Sequence, residues 1–162
     1  MDDFTARVHA ALRDALAERL PARTWETEWY ARRTPVDVAG ILDADVDVDG
    51  DPLVLVEVEM RRADPANNPV KIARYAHEGD FERDVRLVQL FSNYYDLDSG
   101  GISSKRENAE FVGRLAGEHV AGITYAALDL SVTPPKHGAT PSEEWGAAVS
   151  AAADDIASLL RE

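Results

Sequence analysis

Residues 36–62 read VDVAGILDADVDVDGDPLVLVEVEMRR, and the two glutamates set among valines near its end decide how the chain is read. In an extended strand successive side chains alternate faces, so Val54, Val56 and Val58 point one way and Leu53, Leu55, Glu57 and Glu59 the other. A solvated strand face is polar throughout and a buried one apolar throughout. This face passes from apolar to acidic halfway along, which predicts a strand running from a core into a pocket floored by carboxylates.

Upstream, PVDVAGI at 35–41 predicts a second strand in which Asp37 shares a face with Ala39 and Ile41, and RTWETEWYARR at 23–33 a first one. Phe4, Val8, Leu12, Leu16 and Leu20 recur at helical spacing, with Asp2 or Asp3 as N-cap and Pro21 just past the end. The acidic run 43–51, DADVDVDGD, reads either as an extended, solvated hairpin loop or as a continuation of the second strand that turns at Asp49-Gly50. Its likeness to a calcium loop fails on the placement of the glycine and the closing glutamate.

Downstream, Asn68 as N-cap, Pro69 at the first helical position and Gly79 past the end bracket a helix carrying Lys71 and Arg74. VRLVQLFS at 85–92 predicts a strand covered on both faces, and 93–104 a flexible loop with paired tyrosines. A capping box from Ser104 to Glu107 opens a helix to about His119, 123–133 is a further strand, and Thr140, Pro141 and Glu143 start the last helix. The expected fold is one α/β domain over 1–162: a mixed sheet of about five strands with helices on both faces.

The chain has no cysteine, so any metal is held by oxygen or imidazole. No apolar run approaches the ~18 residues of a membrane span, and the amino end is a charged amphipathic pattern, so a soluble cytoplasmic protein with no membrane partner is expected. The formal net charge of -13 argues against a nucleic-acid partner in dilute buffer. However, the Asp-rich, Lys-poor, Ala/Val-rich balance is that of a halophilic protein, and in molar salt the Debye length is only ~3 Å. The charge is also uneven: 61–106 holds eight basic and seven acidic residues, which leaves -14 for the remainder.

Pairing 36–42 antiparallel with 53–60 brings Asp37 beside Glu57 or Glu59. Three carboxylates there suit Mg²⁺ or Mn²⁺, which take oxygen ligands and activate water against a phosphodiester. Arg61, Arg62, Lys71 and Arg74 follow as candidate phosphate contacts. Asp43 or Asp45 is the alternative partner of Glu57, Gln89 either faces the same cleft or is a hydrogen-bonded core residue, and Tyr94 and Tyr95 are candidates for stacking on bases. The four histidines read as structural.

PVD at 35–37 and EVE at 57–59, within an α-β-β-β-α-β order, resemble the PD-(D/E)XK nuclease (restriction-endonuclease-like) superfamily, and the run VEVEMRRADPANN at 56–68 resembles its haloarchaeal members. The resemblance covers the chain to about Ser92, with an extra helix, strand and helix after it. It implies that Asp37 and Glu57 are metal ligands. The third position, usually lysine in the family, is Glu59, which would complete the metal shell or orient water, with Lys71 a candidate replacement for the missing cation. The implied function is a Mg²⁺- or Mn²⁺-dependent endonuclease acting on DNA. The alternative is a catalytically degenerate module of the same fold that binds nucleic acid, a protein partner or a second copy of itself.

Overall fold

Val54, Val56 and Val58 enter one hydrophobic core and Leu53 and Leu55 another. The two cores lie on opposite faces of one five-stranded sheet, as the alternation requires. The computed structural model describes residues 2–42, 51–136 and 139–161. The chain is an α/β fold in the order α1 (Asp3–Arg19), β1 (Thr24–Ala31), β2 (Thr34–Ile41), β3 (Leu53–Glu59), α2 (Asn67–His77), β4 (Val85–Phe91), a single 3₁₀ turn (Asn93–Tyr95), α3 (Ser104–His119), β5 (Ile123–Asp129) and α4 (Trp145–Leu160). The strands lie side by side in sequence order. β1, β2 and β3 pair antiparallel, and β3, β4 and β5 pair parallel. The hairpin expected between β2 and β3, with Asp43 and Asp45, falls on 43–50 and so lies outside the described residues.

Phe4, Val8, Leu12 and Leu16 of α1 and Val149, Ala152, Ala153 and Ile156 of α4 cover one face. Ile72 and Tyr75 of α2 and Ala116 of α3 cover the other. With both faces covered, β3 is buried along its whole length, including its two glutamates. Among the described residues no helix is long and apolar enough to cross a membrane.

Several boundaries differ from the expectation. α2 starts at Asn67, so Asn68 is not its cap but lies inside the first turn with a buried side chain. α3 spans Ser104–His119 as expected, but it is preceded by Ser103, whose carbonyl accepts from Glu107 N–H, so the Ser104 box does not form. β5 ends at Asp129 rather than near 133, because Leu130 N–H crosses to Phe91 O and Asn93 N–H to Val132 O, turning that segment over the end of β4. α4 begins at Trp145, later than the Thr140-Pro141 signal.

Gly113 on α3 faces the ring of Tyr125, and an added Cβ would overlap that ring. An alanine gains up to ~1 kcal/mol of helix propensity, but overpacking costs about 1–3 kcal/mol. Overpacking wins here because the Tyr125 hydroxyl is anchored on Gln89 Oε1 at 2.6 Å and the ring cannot slide away. Gly113→Ala is therefore expected to lower Tm by about 2–4 °C for each kcal/mol lost. An unchanged or raised Tm in a thermal melt would contradict this packing.

Candidate active site

The site begins with a fault in β2. Val36 and Val38 would share a face in a regular strand, yet Val36 joins the core under α2 and Val38 the core under α1. The pleat breaks between them, at Asp37. On the neighbouring strand the residue opposite is Glu28, which the β1–β2 ladder skips and whose φ of 49° lies in the left-handed region. The β2–β3 ladder stops one step short, at Val38↔Val56. Asp37 continues it with its side chain, Oδ2 accepting from Val58 N–H at 2.7 Å. The simple expectation that Asp37 shares a face with Ala39 is thereby corrected: its carboxylate turns edge-on toward β3.

That turn brings Asp37 to Glu57, the next position in the same register, where the charge of Asp37 bears on the Glu57 carboxyl. Glu57 is 1% exposed, and its Oε2 has no hydrogen-bond partner. Burial first, then the charges of Asp37 and Glu59, push the Glu57 carboxyl well above its ordinary value.

Glu59, two residues on, is also buried but is held differently. Its Oε1 accepts from Asn68 Nδ2 and from Gln89 Nε2. Gln89 in turn donates to Pro65 O and accepts from the Tyr125 hydroxyl. Burial pushes the Glu59 carboxyl up to about 7, with Arg62 and the two amides pulling the other way. The sequence left Gln89 between cleft and core; it is a fully buried core residue whose amide serves the site. Asn68, read as a helix cap, is a site residue. Its signal was present as a second Asn beside the first, of which the cap needs only one.

Arg62 closes the cluster. Its guanidinium lies 3.6 Å from Asp37 Oδ1, 4.0 Å from Glu59 Oε2 and 3.3 Å from Asn68 Oδ1. Its backbone N–H donates to the Tyr95 hydroxyl at 2.8 Å, and that hydroxyl donates to Arg62 O at 3.0 Å. Tyr95 is thus a buried pin for this segment rather than an exposed stacking ring.

His9, read from sequence as structural, reaches Asp37 from α1, with Nε2 at 3.9 Å from Oδ2. It is buried, neither ring nitrogen has a hydrogen-bond partner, and burial lowers its pKa, leaving a neutral imidazole at pH 7. No spacing signal marks it, since the helix that carries it is remote in sequence from the carboxylates.

His9, Asp37, Arg61 and Arg62 line one cavity of about 320 Å³, with Asp2 and Glu28 at its acidic side. Arg61 turns away from the carboxylates, donating to Pro134 O at 2.9 Å and resting over the exposed Tyr94 ring at 5.5 Å. Lys105 lies over the same ring, also at 5.5 Å. Lys71 is half-buried on α2 and makes no ion pair with the three carboxylates. Arg74, six residues past Asn68 and so about 9 Å farther along the helix, stacks over Tyr75. The structure thus brings together Asp37, Glu57, Glu59 and Arg62, and leaves Lys71 and Arg74 apart from them.

No protein-family model matches the chain, and no curated protein matches it in sequence.

Among the described residues no three His, Cys, Asp or Glu side chains form a preformed metal cage. The donors present are nonetheless hard oxygens, and Glu57 Oε2 is an orphaned buried acceptor. That pattern fits Mg²⁺ or Mn²⁺, which are bound through one or two carboxylates with waters and substrate phosphate filling the rest.

Proposed function

We propose that the protein is a divalent-metal-dependent phosphodiester hydrolase, a nuclease acting on DNA. One observation carries the reading: two buried carboxyls, Asp37 and Glu57, stand at one register position of neighbouring strands where burial opposes ionisation, and Glu57 Oε2 is left without a partner. Like-charged groups so placed weaken the fold unless a cation or a proton joins them. The α-β-β-β-α-β order, shared with the PD-(D/E)XK nucleases, supports it further.

Asp37 and Glu57 would hold the cation. The chemistry it supplies when bound is polarisation of a phosphoryl oxygen and acidification of a water. The chain's own residues do the rest. Val58 N–H fixes the Asp37 carboxylate, Asn68 and Gln89 fix Glu59 beside it, and Arg62 offers an always-charged donor to a phosphate oxygen. Arg61, at the cavity's edge, and Lys105 gather around Tyr94 into a cationic, aromatic rim that suits a DNA strand.

Plasmid incubated in multimolar KCl with Mg²⁺ or Mn²⁺ is expected to be nicked by the wild type and not by Glu57→Ala. Equal nicking by both, or none by either, overturns the reading.

One observation favours a second reading, a degenerate module of the same fold. Arg62 already faces Asp37 and Glu59, and two amides already occupy Glu59 Oε1. A module of that kind would bind DNA with steep salt dependence but without cleavage.

A further inference from the structure

The geometry points to Arg62 as an exchangeable counter-ion: it neutralises the carboxylates when no metal is bound, and a divalent cation entering at Asp37 and Glu57 displaces its guanidinium toward the cavity, where it meets the anionic substrate. This inference rests on the metal-site reading above and adds a competitor to it.

Three features support displacement. First, the guanidinium is held by charge rather than by close hydrogen bonds, since its contacts to Asp37, Glu59 and Asn68 measure 3.6, 4.0 and 3.3 Å, beyond the usual ~2.9 Å. Second, the backbone of Arg62 is pinned on both its N–H and its carbonyl by the Tyr95 hydroxyl, so the side chain can swing without moving the strand end. Third, the side chain is 47% exposed and lines the cavity, so a path outward exists. A cation bonded to Asp37 at ~2.1 Å would sit within a few ångströms of the guanidinium, and two positive charges at that separation repel strongly in a partly desolvated site.

The groups around Arg62 define where it goes. Glu59 stays anchored by Asn68 and Gln89, so it does not follow. Arg61, also on the cavity wall, is committed to Pro134 O and Tyr94 and pairs with none of the carboxylates. The freed guanidinium is then the nearest unpaired cation to a phosphate drawn to the metal.

Manganese binding, followed by the electron paramagnetic resonance of free Mn²⁺, tests the inference without reference to cleavage. Arg62→Gln is expected to bind Mn²⁺ at least about tenfold more tightly than the wild type, because the competitor is gone, and Arg62→Lys to stay within about threefold of the wild type. Adding Glu57→Gln is expected to abolish binding in both backgrounds. Binding by Arg62→Gln alone, with none by the wild type, also supports a competing guanidinium. Equal or weaker binding by Arg62→Gln, still dependent on Glu57, overturns the counter-ion and leaves the metal site standing. No binding by any variant overturns both. Should Arg62→Gln fail to fold, the ¹⁵N-labelled Arg62 Nε–H resonance of the wild type is expected to shift on saturation with Mg²⁺; an unmoved resonance overturns the inference.

Discussion

On the proposed function, Asp37→Asn is expected to lose DNA cleavage by at least about 100-fold while keeping its stability, and Asp37→Ala to lose cleavage and to melt several degrees lower. A side chain that merely supports a metal ligand is worth about 10- to 100-fold in affinity or activity, so a direct ligand belongs at or above the top of that range. The two substitutions separate the two roles of this carboxylate. Asparagine keeps an oxygen that accepts from Val58 N–H, so the strand pairing carried by Asp37 survives. Alanine leaves that buried N–H unsatisfied, at about 1–3 kcal/mol, which in a domain of this size lowers Tm by about 2–4 °C per kcal/mol. Parallel melts and plasmid assays check this. Wild-type cleavage by Asp37→Asn would remove Asp37 from the chemistry, and wild-type stability of Asp37→Ala would remove it from the ladder.

Glu59→Gln is expected to be more stable than the wild type at pH 8 and nearly equal to it at pH 4. The sign follows from proton binding. Burial raises the folded carboxyl to about 7 from its ordinary 4.5, so between those values the folded state holds a proton that the unfolded chain has released. Wild-type stability therefore falls as pH rises through this window and levels off above it. At about 1.4 kcal/mol per pH unit, the loss is capped at roughly 3 kcal/mol. Glutamine does not titrate, and its oxygen still accepts from Asn68 and Gln89. The weak Arg62 contact it gives up, at 4.0 Å, is about half exposed on the arginine side and offsets little. Urea unfolding at intervals from pH 4 to 8 measures the difference; parallel curves for the two proteins would mean that Glu59 is ionised and fully compensated throughout.

Most of the sheet was legible because period-two alternation is local information. Val54, Val56 and Val58 against Leu53 and Leu55 assign β3 to two cores without any knowledge of its neighbours. Pairing 36–42 with 53–60 placed Asp37 beside Glu57 or Glu59, and the register of the ladder selects Glu57. What alternation cannot show is a place where the pleat breaks, and the orientation of Asp37 depends on one, opposite a residue of positive φ on another strand. The same limit hid Asn68 and His9 and left Gln89 open between cleft and core. Each reads locally as a cap, a core amide or a helix-face histidine, and acquires its role only when β4, α2 and α1 are laid around β3. The helix over 104–119 was legible, whereas the start of the last helix was placed too early, because the local Thr140-Pro141 signal precedes the first helical residue, Trp145.

The double duty of Asp37 bears on how related chains would diverge. Because its side chain completes a rung of the ladder, a lineage that abandoned catalysis would still be selected to keep an acceptor there. Glu57 offers the fold no such service: buried, crowded by Asp37 and with one oxygen unmatched, it is a burden wherever it is not used. On the proposed function, drift toward inactivity is therefore expected to erase Glu57 first and Asp37 last, so that the less structural of the two carboxylates is the better marker of hydrolase activity.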